Sequence, residues 1–477
     1  MRPCSANKGP NENYLHTVDQ ICDFHCLIHD DFCETSAFDK WQTKISKPVF
    51  SVSHLTLTAS NNFSEIDNFM PNRPDDIAIL QFTSGSTGVP KGVIVTHGMM
   101  MAQLRHLTRS HNNLAMTPLR SVASWLPIHH DMGLFNGVLL PIYEGCNHLL
   151  GSPKYYMRNP LRWFSLLSEM GTEFTCVTNT SMVSACNIIS RADKLSDIDL
   201  SNLHIYFGAE KLSPVVLQRS YQVFGPLGMQ KEQFHVAYGM AENALGCSVT
   251  PRGHIHELAV VIEKEGTVRI AKTGDRHVQK TVSVGLPFSG YQISIHDKKG
   301  KTLPDWQLGE IWLRGDCVTP GYYHNRKATT EKINGSTFKT GDLGFIVEGE
   351  LFFVARSDDI LCVGGRNIVP DDVEQAVESL KFVGSGRTCV IGVEDEASGL
   401  TKPILLIEVS RKLSQEKAAL WKTEVQTTVL EQSDLLVSTP LLCAKGTIEK
   451  TTSGKKRRKI IRQRYLDGMI TGVNSHA

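Results

Sequence analysis

Long hydrophobic runs are missing from this 477-residue chain: nowhere do eighteen apolar residues follow one another, so no segment reads as a membrane-spanning helix. The N-terminus lacks the basic segment followed by an apolar one that marks a secretory signal. Net charge is nearly missing too. Against 50 Lys and Arg stand 49 Asp and Glu, a balance of +1, which argues against a nucleic-acid binder driven by bulk electrostatics. No Cys-x-x-Cys pair occurs, and the twelve cysteines are scattered along the chain, which points to reduced thiols and a cytoplasmic setting rather than a disulfide framework. What remains, 41% hydrophobic and 21% charged residues, is a globular composition, and the length exceeds what one core usually fills, so two or more domains are expected.

The densest signal is QFTSGSTGVPKGVIVTH, residues 81–97. A short apolar run, Ile77 to Phe82, reads as a buried strand end, and Val93 to Val95 as another strand. Between them lie Thr83, Ser84, Gly85, Ser86, Thr87 and Gly88, then Lys91. Glycines let backbone N–H groups approach a ligand, hydroxyls add donors and the lysine adds a mobile charge, a set suited to a polyphosphate. An ordinary surface loop has the same composition. The P-loop of NTPases does not match, because Gly92 rather than Ser or Thr follows Lys91.

TSGSTGVPKG resembles the signature loop of the adenylate-forming (AMP-binding) superfamily. That resemblance implies an ATP-binding role for Thr83 to Gly88 and Lys91, with Thr87 contributing to Mg²⁺. Later stretches carry it further. His130-Asp131 at a strand end is either acid–base equipment or a capping pair on residue chemistry alone; LPIHHDMGL resembles the fourth core motif in its fatty-acyl-AMP ligase form. By that resemblance His130 sits beside the carboxylate and α-phosphate, and Gly133 lines the acyl path. Gly208-Ala209-Glu210 ends a short strand, where open α/β sheets bind ligands, and is similar to the segment that packs on adenine. Tyr238, Gly239, Met240, Ala241 and Glu242 match the YGxxE motif, with the ring stacked on purine, the glycine close to phosphate and Glu242 on Mg²⁺. Asp342 in TGD and Arg356 match ribose- and phosphate-binding positions. Asp358 falls at the hinge, where the acyl-AMP ligases often carry lysine, so here the chain looks more like the coenzyme A-using branch. In GTIEKTTSGKK, Lys455 matches the lysine that enters the active site from the mobile domain. By charge alone the basic run from Lys455 to Lys459 also reads as a nuclear-localisation or acidic-lipid patch.

Strand-then-helix alternation from 77 to 245 predicts parallel strands with crossover helices. Residues 243–283 resemble the insertion of fatty-acyl-AMP ligases that restrains the small domain, a plain β-excursion being the alternative. Short alternating strands from Ser283 to Tyr323 suggest a small β-barrel-like unit. The fold class is therefore α/β: an atypical N-terminal segment 1–48, with Cys4, Cys22, Cys26 and Cys33 near His25 and His29 and zinc the minor reading; a large domain 49–357; and a small mobile α+β domain 358–477. Family members carry a longer region before the phosphate loop, so the chain is expected to be shortened or replaced at its start. The resemblance implies an enzyme that joins a fatty acid to AMP from ATP with Mg²⁺, releases pyrophosphate and passes the acyl group to an acyl-carrier-protein thiol. Coenzyme A as acceptor is the first alternative; a non-catalytic, nucleotide-binding relative is the second.

Overall fold

The computed structural model describes residues 18, 21–22, 26–29, 48–51, 72–83, 90–193, 195–263, 265–275, 278–363, 366–384, 386–394, 401–409, 413–433, 435, 437–450 and 456–472. Ser84, Gly85, Ser86, Thr87, Gly88 and Lys455 lie outside these described residues, as do Cys4, His25 and Cys33.

β1 (Leu27–His29) and β2 (Val49–Ser51) pair in parallel as a separate sheet. β3 (Ile77–Thr83) and β4 (Lys91–Thr96) then form an antiparallel pair. This corrects the expectation that the parallel series begins at residue 77. The connection, residues 84–90, is far shorter than the dozen or so residues a parallel crossover needs. Thr96 caps the helix that follows, α1 (His97–Ala115), accepting the Met99 N–H at 3.2 Å.

The central sheet comes next. β5 (Ser121–Ser124), β6 (Asn147–Leu150), β7 (Phe174–Val177), β8 (His204–Phe207) and β9 (Phe234–Gly239) are all parallel, in the order β6-β5-β7-β8-β9. Helices α2 (Pro160–Glu169), α3 (Asn179–Ile189) and α4 (Pro214–Phe224) lie between its strands in the chain. β5 and β7 are buried at every residue, as strands covered on both faces must be. Because β6 lies to one side of β5 and β7 to the other, the strand order reverses at this point. Such a reversal opens a crevice at the carboxyl ends of the strands.

β10 (Gly246–Val249) turns antiparallel to β9. β11 (Glu257–Ile262), β12 (Val268–Ile270) and β13 (Gln279–Val282) make a separate antiparallel sheet from the expected insertion, and β14 (Leu286–Pro287) returns to the edge beside β10. β15 (Gln292–His296), β16 (Gly309–Arg314), β17 (Ile333–Asn334), β18 (Thr337–Val347) and β19 (Glu350–Arg356) form the barrel-like unit, a curled antiparallel half-barrel. After it come the hairpin β20 (Leu361–Val363) and β21 (Arg366–Ile368), then α5 (Pro370–Glu378), β22 (Thr388–Glu394), β23 (Thr401–Val409), α6 (Gln415–Ser433), β24 (Leu441–Ala444) and α7 (Arg458–Leu466).

The main core runs from Val95 to Leu351, whereas two further clusters are drawn from Ile368 to Leu442 and from Cys389 to Ile470. Val260 and Val268 of the inserted sheet share a cluster with Phe352, Val354, Ala355 and Val369, residues on both sides of Asp358. The cysteines with described side chains are free, and among the described residues no helix is long and apolar enough to cross a membrane.

Candidate active site

Three of the expected motifs, those of His130, Gly208 and Tyr238, fall at or beyond the carboxyl ends of parallel strands β5, β8 and β9. Past β5 the chain turns at Pro127 and reaches His130, whose Nδ1 lies 2.5 Å from Asp131 Oδ1 and accepts the Met132 N–H at 3.4 Å. His130 thus caps the short helix Asp131–Leu134, and Nε2 is the ring atom left for a carboxylate or phosphate. Gln81 Nε2 donates to the His129 carbonyl at 2.6 Å, tying β3 to this turn. A Cβ on Gly133 would sit 2.1 Å from the Pro127 carbonyl oxygen, so the glycine is required by backbone packing against backbone.

At the end of β8, a Cβ on Gly208 would lie 3.0 Å from Met132 Sδ, so the short helix after β5 reaches across to the end of β8. Ala209 holds φ at +68°, a conformation that costs a non-glycine residue on the order of 1–3 kcal/mol and clusters at functional sites. The Glu210 carboxylate accepts from the Thr180 N–H at 2.8 Å and from Thr180 Oγ1 at 3.3 Å. Its side chain therefore holds the start of α3, and only the backbone of Gly208 and Ala209 remains to meet a purine.

The end of β9 is joined to the half-barrel through Asp342, which is 4% exposed. Tyr238 Oη donates to Asp342 Oδ2 at 2.7 Å, and Arg356 Nε donates to Oδ1 at 3.0 Å. Burial and the Asp342 charge raise the Tyr238 phenol well above its ordinary range, so it stays a donor; the same charge holds Arg356 firmly cationic. Each carboxylate oxygen keeps a second lone pair, so ribose hydroxyls can still add as donors. The Tyr238 ring is buried and packs on Phe353 at 5.9 Å between centroids. Gly239 too is fitted to protein, since a Cβ would meet the Leu245 carbonyl oxygen at 1.9 Å.

Glu242 Oε1 accepts from Tyr322 Oη at 2.8 Å, and Lys91 Nζ lies 5.4 Å from the centre of the Tyr322 ring. Tyr322 thereby couples the base of the phosphate loop to the expected Mg²⁺ ligand. Thr83, the partner of Lys91 across the hairpin, lies on the same base. Tyr322 and Thr319, whose N–H donates to the Glu242 carbonyl at 2.8 Å, were missed by sequence reasoning. The available signal was an aromatic pair, Tyr322-Tyr323, directly after Pro320-Gly321.

The C-terminal part docks onto the adenine segment. Lys211 Nζ, next to Glu210, lies 2.8 Å from Asp372 Oδ1. Burial and Lys456 lower the pKa of Lys450, against the pull of Glu378 and Glu210. Lys450 and Lys456 pair across an antiparallel bridge, so both ends of the stretch that holds Lys455 are anchored. The basic run is not a free patch. Lys456 bonds Glu374, Arg458 bonds Glu374 and Asp371, and Arg457 lies 3.5 Å from Glu449. Lys459 reaches the expected hinge residue, Asp358, at 3.3 Å.

Comparison with known proteins accords with this geometry. Residues 15–323 match the family model described as AMP-binding enzyme. The chain belongs to this adenylate-forming enzyme family. The match begins inside the stretch 1–48. The long-chain-fatty-acid–AMP ligase FadD23 of Mycobacterium tuberculosis is 30% identical to this AMP-binding enzyme over 452 residues, covering 90% of the chain and 75% of the relative. A protein of the same organism provisionally named fatty-acid–CoA ligase, fadD25, is 32% identical over 432 residues, 84% and 71% of the two chains. A solved structure from work on the fatty acyl-adenylate ligases of E. coli and L. pneumophila superposes with a TM-score of 0.85 at 25% identity, over 96% of this chain and 82% of that one.

Proposed function

We propose that this AMP-binding enzyme activates a medium- or long-chain fatty acid with ATP and passes the acyl group to the thiol of an acyl carrier protein. The observation that carries the reading is the convergence of His130, Gly208, Tyr238 and Glu242 past the carboxyl ends of three strands of one sheet, β5, β8 and β9, with Asp342, Arg356 and Lys91 bonded or stacked around them. In the first step a carboxylate oxygen attacks the α-phosphorus and pyrophosphate leaves. Both reactants are anionic, so charge neutralisation and alignment dominate the barrier.

Gly208 and Ala209 would receive the purine, Asp342 the ribose and Arg356 the ribose or α-phosphate. The loop from Thr83 through Ser84, Gly85, Ser86, Thr87 and Gly88 to Lys91 would grip the outer phosphates. Glu242 fits a Mg²⁺ ligand: one oxygen accepts from Tyr322, and among the described residues the other has no hydrogen-bond partner. With Thr87 it would hold the ion, which supplies neutralising charge to the phosphates. Lys455 would reach the carboxylate and α-phosphate on closure of the 358–477 domain about Asp358, and His130 would steady the carboxylate through Nε2. In the second step the carrier thiolate attacks the acyl carbon and AMP leaves.

The HDMGL stretch and the inserted sheet favour a carrier protein, because that sheet packs on residues flanking the hinge and would restrain the swing a second acceptor needs. Asp358, in place of the lysine common in acyl-AMP ligases, favours coenzyme A as the second reading. Purified protein given ATP, Mg²⁺ and a fatty acid should release pyrophosphate, and a holo-carrier protein should become acylated faster than coenzyme A does. Preferred acylation of coenzyme A would select the second reading. No pyrophosphate with any medium- or long-chain fatty acid would contradict both.

A further inference from the structure

Outside the nucleotide site, His254 and His256 approach Glu350 where the inserted sheet is rooted. His254 and His256 lie in the segment that leads into β11, and Glu350 opens β19, the strand that ends at Arg356 beside the hinge. His254 Nε2 and His256 Nδ1 each stand 3.8 Å from Glu350 Oε1, and the two rings are 5.0 Å apart between centroids. That spacing is too long for hydrogen bonds. It is only a few tenths of an ångström wider than the roughly 3.3 Å between neighbouring ligands of a tetrahedral ion with bonds of about 2.0–2.1 Å.

Among the described residues, two buried polar atoms here have no hydrogen-bond partner. The Glu350 side chain is 9% exposed, and its Oε2 has no hydrogen-bond partner, nor has the buried Nδ1 of His256. A buried carboxylate without a partner costs several kcal/mol as an order of magnitude, so such groups are paired or bind metal. An imidazole nitrogen is a good ligand for a transition-metal ion. Meanwhile His254 is 59% exposed, which leaves a way in from solvent.

We propose that His254, His256 and Glu350 form a binding site for a divalent transition-metal ion of the zinc class, separate from the Mg²⁺-nucleotide site. Two imidazole nitrogens and one carboxylate suit zinc and its neighbours rather than magnesium or calcium, which take oxygen shells. Water would complete the shell on the exposed side. The ion would tie the root of the inserted sheet to the start of β19.

Full-length protein stripped with a chelator and titrated with zinc against a chromophoric competitor tests this. Wild type should bind one zinc equivalent more than a His254→Gln/His256→Gln variant, and zinc should raise the melting temperature of wild type more than that of the variant. Magnesium at the same concentration should not reproduce the difference. His254→Gln alone changes an exposed side chain, so it keeps the fold; it should weaken this site about tenfold or more. Equal zinc uptake by wild type and His254→Gln, or an equal thermal shift in both, would overturn the proposal. So would an ion pair only, seen as variants that lose stability without zinc while wild type takes up no additional equivalent.

Discussion

The two sides of the proposed site are held by different physics. On the large side, the Tyr238–Asp342–Arg356 chain links β9 to β18 and β19, and Tyr238 belongs to a core dense in neutral aromatic and aliphatic groups. On the small side, α5 and α7 are joined by charge: Glu374, 1% exposed, takes bonds from Lys456 and Arg458, and Asp371 takes another from Arg458. Burial alone would raise the Asp371 carboxyl, but Arg458, Lys456 and Lys211 pull it below its ordinary value. A neutral core resists rearrangement as a whole. A clamp of ion pairs fixes one short segment tightly and leaves the lobe that carries it able to move as a body. The contrast fits the proposed division of labour, with the nucleotide cradle in the first region and the reactive lysine in the second.

The largest effect should come from that lysine. Lys455→Ala is expected to retain ATP binding while acyl-AMP formation falls on the order of a hundred- to a thousandfold, measured by pyrophosphate release and by calorimetry with ATP. Undiminished adenylation would remove the small domain from the chemistry.

Next in size, Glu374→Ala leaves Lys456 and Arg458 buried without their carboxylate, and should destabilise the C-terminal lobe by about 3–5 kcal/mol. Urea denaturation followed through Trp421, which stacks on Phe382 at 4.3 Å in that lobe, reads it; an unchanged midpoint would show that the clamp carries no weight.

On the large side, Asp342→Asn removes the charge that Arg356 and Tyr238 share. ATP should bind about ten- to a hundredfold more weakly, the scale of a charged hydrogen bond at about 1.5–3 kcal/mol, whereas the melting of the C-terminal lobe should not move.

The mildest effect separates the two regions by pH. His204 and His235 stand on β8 and β9 and His111 on α1; His111 Nδ1 lies 3.0 Å from Tyr206 Oη, and the His204–His235 contact is 2.9 Å. Burial, with help from His204, pushes His111 down to about 3. Burial and Arg252 push His204 down to about 4, and His235 is lowered as well, first by burial and then by its neighbours. Below the ordinary histidine value near 6.5, the unfolded chain takes up protons that the folded chain refuses, so stability falls as pH drops from about 6.5 towards 4. The large lobe should therefore lose melting temperature between pH 7 and 5 before the small lobe does. Equal losses in both would break the contrast.

Much of the large lobe was legible because local signals and tertiary demands agree there. FTCV and HIYF are short apolar runs that become β7 and β8, and the small residues after Phe207 mark a strand end facing a crevice. The hairpin β3–β4 was misplaced because a strand's partner is not encoded in its own periodicity; the seven-residue connection was the clue. Glycine was the least reliable guide. Gly133 and Gly239 carry motif positions, yet each is held by an approach of the chain to itself that only coordinates reveal. Tyr322 and Glu374 were out of reach for a simpler reason. Their partners lie about eighty residues away in sequence, and nothing local to an exposed-looking tyrosine or glutamate announces a long-range bond.

The account turns on one claim, that nucleotide binds at the carboxyl ends of β8 and β9 beneath Asp342. Photolabelling with an azido-adenine analogue of ATP, followed by peptide mapping, tests it most directly. Label should fall within residues 206–210 or 237–243 and disappear when unmodified ATP competes. Label that ATP displaces from some other part of the chain, with those two peptides unmodified, would contradict it.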